Sequence, residues 1–468
     1  MSTPGTNHVV VVGGGIAGLA TAYFLTAERP DGGLTCRVTV VESSERFGGK
    51  IVSESAAPFT IEGGPESLLT QKPAGIELCK ELGLEEQLLG SRDHARRTYV
   101  VRDGRLHPFP RNCSLIAPRA RRDLFSCSLF SLRGKIRAAA EPWIRGSSHV
   151  DDESIASFVT RRFGKEYLER FAGPLLSGTS VGDPDLLSVG SLFPRLVSME
   201  RGHGSVTAAA RREQGSTGEP LFTTLKPGMG FLVSRMITVL EQRGVALHKD
   251  FPIAGLTRKE DGFHLVPGNT GTMSMRADTV VLAVPAFAAA GIIGELDSNA
   301  AELLHEIRYV GSATVTLGFK ADTLGNTPET TGFGFLVPSA ERRTILGCTI
   351  LSNKFDDRAE SGFAQIRAFL GGVGFEDQLE YDDETLLRKT REDIKAFLGI
   401  STEPIVHRIF RWPRGNPQHE VGHRRRLEKL ENSLAAIPGL YLAGSAYHGT
   451  GIPDCVKQAK EMAAKIRV

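Results

Sequence analysis

A glycine-rich turn near the start of the chain has the residue types and the spacing that bind a pyrophosphate. Residues 13–18 read Gly-Gly-Gly-Ile-Ala-Gly and fit the pattern G-x-G-x-x-G. In this pattern the first glycine permits a tight turn, the second lets the backbone approach the phosphates, and the third allows close packing of helix on strand. The N-terminus of the following helix adds free N–H groups and a partial positive charge. Five residues of the turn are therefore expected to bind a dinucleotide: Gly13, Gly15, Ile16, Ala17 and Gly18.

The residues around this turn predict the elements that must position it. Residues 9–12 are four valines, which favour a buried strand directly before the turn, and residues 19–27 fit a helix after it. A second strand over residues 36–41 ends at Glu42. A carboxylate at this place accepts hydrogen bonds from the adenosine ribose hydroxyls and repels a 2′-phosphate. The unit therefore favours FAD or NAD over NADP.

Length and charge limit the class of protein. The 468 residues are too many for one domain and suggest two or three. At 41% hydrophobic residues the chain can bury a large core. Its formal net charge of +2 gives no signal for a nucleic-acid partner.

The cysteines and the start of the chain bear on its compartment. The six cysteines include no C-x-x-C pair, which favours a reducing cytosol and argues against disulfides or a zinc site. Residues 1–8 lack the basic and apolar regions of a signal peptide. No stretch approaches the ~18–20 uncharged apolar residues of a transmembrane span. We therefore expect a cytoplasmic protein with no bound metal.

Two further stretches resemble the FAD-binding motifs of the amine oxidase-like flavoproteins. Residues 42–50, Glu-Ser-Ser-Glu-Arg-Phe-Gly-Gly-Lys, are similar to their second FAD fingerprint, which clamps ribose and pyrophosphate. Residues 61–67 resemble the stretch that passes beside the flavin ring. The alternative is a second glycine-rich loop that binds nothing. The resemblance favours FAD over NAD and implies these contacts: Glu42, Arg46, Gly48, Gly49, Lys50, Gly63, Gly64, Pro65 and Glu66.

The tail of the chain resembles the last strand and helix of the same flavoproteins, which pack on the first strand and helix. Residues 439–445 predict a short buried strand, and a helix is expected to follow residues 449–455. The resemblance implies that this helix N-terminus points at the pyrimidine edge of the flavin, where negative charge gathers on reduction. Many relatives carry Gly-Asp where this chain has Gly444-Ser445. The remaining implied FAD contacts are Ala283, Trp412, Gly444, Gly451, Ile452 and Pro453, with a core residue as the alternative for Trp412.

Further stretches narrow the resemblance to one family. Residues 178–184, 222–229, 334–338, 412–423 and 447–455 together are similar to the FAD-dependent protoporphyrinogen IX/coproporphyrinogen III oxidases of haem synthesis. The similarity spans nearly the whole chain. It implies three two-electron oxidations of a porphyrinogen by hydride transfer to flavin N5, with dioxygen as acceptor and hydrogen peroxide as product. The cofactor carries this chemistry, so no catalytic side chain is expected.

The substrate and the rival functions stay open at this point. Coproporphyrinogen III carries four propionates and protoporphyrinogen IX two, so the arginine-rich middle of the chain favours the former. The tail also resembles the bacterial branch that uses coproporphyrinogen. One rival is another FAD oxidase or desaturase of the same fold, acting on amines or carotenoids. The other is a carrier protein of this fold that binds no flavin.

Four positions match places where this family binds its substrate. Arg97 matches an arginine that pairs with a propionate. Gly182 matches a flat wall for the macrocycle or a carbonyl that accepts from a pyrrole N–H. Leu336 and Ile350 match apolar side chains that sandwich a pyrrole ring. The alternatives are a solvated surface arginine, a turn glycine and ordinary core residues of strands.

The order of elements predicts an α/β protein with a Rossmann-like FAD-binding domain of the amine oxidase type, a sheet-and-helix substrate domain and a helical insertion. The FAD domain is expected from residues 1–91, 226–300 and 432–468. The helical insertion is expected from residues 92–225 and the substrate domain from 301–431. Arginines and apolar residues alternate in the insertion. Peripheral contact with an anionic membrane is therefore one expectation; a solvated cap or a homodimer face is the other.

Overall fold

The computed structural model describes residues 7–27, 36–93, 97–110, 112–146, 152–178, 180–213, 219–269 and 274–467. The elements up to residue 108 are β1 (Asn7–Val12), α1 (Ile16–Leu25), β2 (Cys36–Val41), β3 (Ser53–Ala56), β4 (Phe59–Glu62), β5 (Leu68–Leu69), α2 (Ala74–Glu81), β6 (Leu88–Gly90), β7 (Thr98–Arg102) and β8 (Arg105–Pro108). Those of the middle part are β9 (Cys113–Ser114), β10 (Ala117–Pro118), α3 (Arg121–Ser126), α4 (Leu132–Ala139), α5 (Ile155–Phe163), α6 (Lys165–Tyr167), α7 (Gly173–Gly178), α8 (Val189–Leu192), α9 (Pro194–His203), α10 (Val206–Arg212) and β11 (Phe222–Leu225).

The second half of the chain alternates strands and helices. Its elements up to residue 320 are α11 (Gly230–Gln242), β12 (Ala246–His248), β13 (Ile253–Lys259), β14 (Gly262–Pro267), β15 (Met275–Ala277), β16 (Thr279–Leu282), α12 (Ala286–Ile293), α13 (Ser298–His305) and β17 (Tyr309–Lys320). The last elements are β18 (Gly334–Leu336), β19 (Ile345–Ile350), α14 (Leu351–Lys354), β20 (Phe363–Gly371), α15 (Asp383–Leu398), β21 (Val406–Pro417), α16 (His423–Leu434), β22 (Leu440–Leu442) and α17 (Ile452–Ile466).

The glycine-rich turn lies at one edge of a five-stranded parallel sheet with the order β12-β2-β1-β16-β22. The valines of β1 are buried because α1, α11 and α17 cover one face of the sheet, and α12 and α13 cover the other. Strands of a parallel sheet that is covered on both faces read as continuous apolar runs. The predicted Rossmann-like unit of strand, turn, helix and strand is confirmed.

A second, seven-stranded mixed sheet has the order β21-β17-β20-β19-β18-β7-β8. Its side chains alternate between two faces. One face packs under α15 in a core that includes Phe335 and Ile366, with Leu386 and Ile394 from the helix. The other face is turned toward the residues that follow β4, as described below.

Helices α3 to α10 form a third layer with its own core. Its centre is aromatic, and the rings of Phe163 and Tyr167 stack with centroids 4.9 Å apart. The side chains of Glu141 and Arg162 are fully buried in this layer and form an ion pair. Glu141 also accepts from the backbone N–H groups of Val206 at 3.0 Å and Thr207 at 3.1 Å, at the start of α10.

The structure places three segments outside the units expected for them. The hairpin β7–β8 was assigned to the helical insertion, but β7 pairs in parallel with β18, so the hairpin belongs to the seven-stranded sheet. β11, at the end of the same expected insertion, pairs with β5 and β6. Helix α16 was assigned to the substrate domain, but its Leu427 and Leu430 pack in the core of the parallel sheet. Long-range strand pairing and helix packing set these boundaries, which local composition does not reveal.

Candidate functional site

The first glycine turn is held by contacts that only glycine tolerates. Gly13 has φ +108°, and a Cβ there would lie 2.4 Å from the carbonyl oxygen of Ala283. A Cβ on Gly18 would lie 1.9 Å from the carbonyl oxygen of Gly13. In contrast, a Cβ on Gly15 would meet no atom of the described residues within 4 Å. The turn is therefore packed tightly from behind, and Gly15 faces free space.

The fingerprint loop lies directly on this turn. The N–H of Gly48 donates to the carbonyl of Gly14 at 2.8 Å, and the N–H of Gly14 donates to Oε2 of Glu42 at 2.7 Å. Arg46 donates to the carbonyl of Gly49 at 2.6 Å. The structure thus brings together the two glycine motifs and the acid that the sequence singles out.

The tail of the chain reaches the same edge of the parallel sheet. β22 pairs in parallel with β16, so Gly444 lies at the carboxyl edge with Gly13 and Glu42. Gly444 has φ +138°, and a Cβ there would meet no described atom within 4 Å. Gly451 caps the N-terminus of α17, and Asp454 accepts from its N–H at 3.1 Å. In open α/β sheets, ligands bind in the crevice outside the carboxyl ends of the strands.

The residues after β4 connect this edge to the seven-stranded sheet. Trp412 donates its indole N–H to the carbonyl of Gly63 at 2.9 Å, and Arg367 donates to the carbonyl of Gly64 at 2.6 Å. A Cβ on Gly64 would lie 1.7 Å from the carbonyl oxygen of Lys50, so the loop also touches the fingerprint segment. Glu66 accepts from Lys354 at 2.6 Å. The polar groups of Trp412 and Glu66 therefore bond to the protein itself.

Strand register decides which residues of the seven-stranded sheet face this loop. Arg367 is directly opposite Thr349, and Phe369 is opposite Gly347, which is itself opposite Leu336. Because Arg367 reaches the loop, residues of this set share the face that is turned toward it. Leu336 and Phe369 are half-buried although they lie in the interior of the sheet. By register, both are on the face of the sheet that is turned toward the loop.

Ile350 does not lie on that face. It is 0% exposed and belongs to the core under α15. The expectation that Ile350 lines the pocket is therefore wrong, because the alternation along β19 turns it to the opposite side. Thr349 lies on the loop-facing side instead, because it is directly opposite Arg367.

The other two expected substrate residues have mixed surroundings. Arg97 is exposed and precedes β7, and its carbonyl accepts from the N–H of Phe333 at 2.8 Å. A Cβ on Gly182 would lie 2.2 Å from Oε1 of Gln418 and 2.8 Å from a methyl group of Leu187, so a larger residue would require these side chains to move. Gln418 donates to the carbonyl of Ser180 at 3.0 Å and ties this segment to the end of β21. Thr179, in the same predicted segment, lies outside the described residues.

Comparison with known proteins decides the family. The model of the flavin containing amine oxidoreductase family matches residues 16–467. The chain belongs to this family. It is an FAD-dependent oxidoreductase with the amine oxidase fold. The open backbone at Gly15, directly before the N-terminus of α1, leaves room for a phosphate group.

Individual relatives of this flavin family match over almost the whole chain. The chain is 35% identical to coproporphyrinogen III oxidase of Bacillus subtilis, and the match covers 97% of both proteins. It is 29% identical to protoporphyrinogen oxidase 1, chloroplastic, of Arabidopsis thaliana, over 98% of this chain and 88% of that protein. A solved structure from Exiguobacterium sp. 255-15 superposes with a TM-score of 0.86 at 29% identity and covers 100% of this chain and 99% of that one.

Two buried histidines, to which the sequence analysis assigned no role, hold the segment after β22 by hydrogen bonds. The rings of His419 and His423 stack with centroids 4.1 Å apart. Their Nε2 atoms lie 3.0 Å from the carbonyl oxygen of Ser445 and 3.1 Å from that of Tyr447. Burial lowers the pKa of His419 to about 4 and that of His423 to about 3, so both rings are neutral donors at pH 7. The spacing of four residues was the available signal, but nothing in the sequence placed these rings beside residues 445 and 447.

The described residues contain neither a membrane-spanning helix nor a metal-binding cluster. Within the ranges given above, no helix is long and apolar enough to cross a membrane. In the same part of the chain, no group of three His, Cys, Asp or Glu side chains is arranged to hold a metal ion.

Proposed function

We propose that this protein oxidises a porphyrinogen to the corresponding porphyrin, with coproporphyrinogen III as its preferred substrate and dioxygen as the electron acceptor. The observation that carries this proposal is the likeness to the coproporphyrinogen III oxidase of Bacillus subtilis along nearly the full length of both proteins. The named relatives include both coproporphyrinogen and protoporphyrinogen oxidases, so the porphyrinogen class rests on more than one of them.

The carboxyl edge of the parallel sheet holds FAD in this proposal. The turn at Gly13, Gly15 and Gly18 admits the pyrophosphate, and Glu42 and Arg46 fix the ribose side. Gly48, Gly49 and Lys50 form the wall beside it. Residues 63–66, Ala283 and the segment from Gly444 to Pro453 enclose the flavin end. The free space at Gly15 and Gly444 supports this arrangement.

The space between the seven-stranded sheet and the 63–64 loop receives the macrocycle. Leu336 and Phe369 offer apolar contact to the pyrrole rings, and Thr349 lies between them on the neighbouring strand. Arg97 binds a propionate from the exposed end of β7. Bound FAD supplies a two-electron acceptor for hydride from a bridge carbon. The side chains orient the substrate and exclude water.

The deciding experiment compares the two porphyrinogens. Purified protein is incubated with each in parallel, and porphyrin fluorescence and hydrogen peroxide are followed. We expect coproporphyrin III to form faster, with three molecules of peroxide per porphyrin because each two-electron step reduces one dioxygen. A faster reaction with protoporphyrinogen IX would reverse the substrate preference. Flavin-loaded protein that turns over amines and neither porphyrinogen would overturn the proposal.

Arg97 tests the substrate side of this proposal. Arg97→Ala is expected to raise the KM for coproporphyrinogen III about tenfold and to leave kcat nearly unchanged, because the lost fork binds substrate and transition state alike. Arg105→Ala, an exposed arginine of the same hairpin, is the matched control. Equal KM values for the two variants would remove Arg97 from the site.

We also propose that the helical layer contacts an anionic membrane surface. Leu132 is 67% exposed and Ile136, one turn later on α4, is 57% exposed. Trp143 is 71% exposed, and the guanidinium of Arg121 lies 4.9 Å from its ring centre. Exposed apolar side chains among arginines fit a headgroup layer with negative charge.

Vesicle co-sedimentation tests the membrane proposal. Binding to phosphatidylglycerol vesicles at low salt is expected, and the double variant Leu132→Ser/Ile136→Ser should lose it. Ile405→Ser, at an apolar residue that is 52% exposed elsewhere, is the control. Absence of binding at low salt would sink the proposal. A dimer in light scattering that this double variant dissolves would assign the surface to a second copy of the chain.

A further inference from the structure

Five buried charged side chains lie together beside the 62–66 segment. They are Glu62, Glu66, Lys354, Arg358 and Arg367, each at most 11% exposed at its side chain. A fully ionised set of two carboxylates and three cations carries a net charge of +1. Buried charges are almost always paired and balanced. A cluster with one surplus cation therefore points to an additional electronegative partner.

Not every donor of the cluster has an acceptor, and the guanidinium of Arg358 is the clearest case. Arg358 donates to the carbonyl of Leu225 at 3.2 Å and lies 3.5 Å from Glu62. Within the described part of the chain, its Nε and Nη1 atoms have no hydrogen-bond partner. Burial lowers the pKa of Arg358, although Glu62, Glu66 and the exposed Asp357 oppose this effect. Each carboxylate oxygen of Glu62 already accepts a hydrogen bond, one from the hydroxyl of Ser53 at 2.6 Å and the other from the N–H of Met229 at 2.8 Å.

Arg367 and Lys354 bind the 63–66 loop, which is expected to lie beside the flavin. Arg367 is 2% exposed, lies 3.3 Å from Glu66 and donates to the carbonyl of Gly64 at 2.6 Å. Lys354 donates to Glu66 at 2.6 Å. Burial favours the neutral form of Glu66, but Lys354 and Arg367 outweigh it and lower the pKa of this carboxyl group. Glu66 therefore stays ionised near neutral pH.

The directions of two carbonyl groups define how the peptide groups of the loop are oriented. The carbonyls of Gly63 and Gly64 both accept from side chains of the seven-stranded sheet, Trp412 and Arg367. In a trans peptide the N–H points opposite to the carbonyl. The N–H of Gly64 therefore points away from the sheet. Trp412 thus fixes the peptide between Gly63 and Gly64. Arg367 fixes the next peptide, which has no N–H because residue 65 is proline, and it also adds charge.

We propose that Lys354 and Arg367 are positioning residues for the flavin, and that the surplus positive charge of the buried cluster makes the protein bind reduced FAD more tightly than oxidised FAD. Reduced flavin gathers negative charge, and a buried cation that is not fully balanced stabilises it. The inference relies on FAD and on the predicted place of the 63–66 loop beside its ring. It does not depend on which porphyrinogen is oxidised.

The midpoint potential of the bound flavin tests this inference. Measured at pH 8, Lys354→Met removes the surplus charge and is expected to lower the ratio of the affinities for reduced and oxidised FAD about tenfold, or about 30 mV for a two-electron couple. The double variant Lys354→Met/Glu66→Gln removes one charge of each sign. It is expected to return the potential close to that of the parent protein.

Matched controls separate this effect from a loss of structure. Arg411→Met removes an arginine that pairs with Asp383 on the α15 side of the same sheet and is expected to leave the potential unchanged. Arg367→Lys keeps the charge and is expected to keep the potential while altering the flavin absorbance. An unchanged midpoint potential in FAD-loaded Lys354→Met would overturn the inference. So would a double variant whose midpoint potential is as low as that of the single variant. Neither readout requires porphyrinogen turnover, so failure here is distinct from failure of the proposed function.

Discussion

The indole N–H of Trp412 and the carbonyl of Gly63 form a 2.9 Å hydrogen bond that joins the seven-stranded sheet to the loop after β4. Trp412 lies on β21 of the seven-stranded sheet, whereas Gly63 directly follows β4 near the edge of the parallel sheet. Thr314 supports the same carbonyl at 3.3 Å. A ring that resemblance places against the flavin therefore has a second task, which is to hold the flavin-side loop in place.

Replacing this donor should weaken cofactor binding. Trp412→Phe keeps an aromatic ring and loses the N–H, at a cost of about 1 kcal/mol. The Kd for FAD, measured by quenching of flavin fluorescence in a titration of apoprotein, is expected to rise five- to tenfold. Trp143→Phe changes the exposed tryptophan and serves as the control. Equal Kd values for both variants would contradict a role for the Trp412–Gly63 bond.

Phe369 and Ile350 lie on adjacent strands but on opposite faces of the seven-stranded sheet, so their replacement should have different consequences. Phe369→Ala removes a pocket wall, so the KM for the porphyrinogen is expected to rise tenfold or more with little change in thermal stability. Ile350→Ala removes a buried core side chain and is expected to lower the free energy of unfolding by about 2–5 kcal/mol without changing the KM. Steady-state kinetics and urea unfolding together check the pair. The reverse pattern would show that the faces are assigned incorrectly.

The stacked histidines predict a loss of stability in mild acid. Both have pKa values lowered by burial, so the folded protein keeps them neutral while the unfolded chain protonates them below its ordinary pKa of about 6.5. The contribution of the two neutral histidines to the free energy of unfolding is therefore fully present above pH 6.5 and is lost as the pH falls toward 4. The expected loss is about 2 kcal/mol per imidazole between pH 6.5 and pH 5.

Urea unfolding at a series of pH values measures this effect. The double variant His419→Gln/His423→Gln can still donate to the two carbonyls and is expected to show a flatter profile. His407→Gln, at an exposed histidine, should keep the slope of the parent protein. A parent protein whose stability is constant over this range would refute the prediction.

The buried ion pair of the helical layer should be costly to break. Glu141→Ala leaves Arg162 buried with Glu200 at 3.3 Å as its remaining acidic partner, and it also removes the acceptor at the start of α10. The free energy of unfolding is expected to fall by about 3–5 kcal/mol. Glu169→Ala breaks the exposed pair with Lys165 and should cost less than about 0.5 kcal/mol. Similar losses in both variants would contradict the assignment.

The cofactor motifs were predictable because their signals are local. The turn at residues 13–18 and the fingerprint at 42–50 each carry their glycines, strand and acid within a short stretch. The structure brings them together through bonds between Gly14, Gly48 and Glu42. Resemblance added the tail, whose strand β22 joins the same sheet.

The substrate side was harder to predict because register is not local. β19 changes register against β20 between Ile345 and Gly347, so counting alternate residues along the strand loses its phase. That shift is why Thr349 is on the same face as Arg367, whereas Ile350 is on the face under α15. The partners of Glu66 follow it by 288 and 301 residues, and no spacing pattern in the sequence connects them.

The parallel sheet also determines when the cofactor can be acquired. Its central strands come from residues 7–12 and 279–282, and an edge strand comes from residues 440–442. The crevice at its carboxyl edge does not exist until the last of these has been synthesised and has joined the others. Flavin binding therefore reports that segments from the start, the middle and the far part of the sequence have folded together.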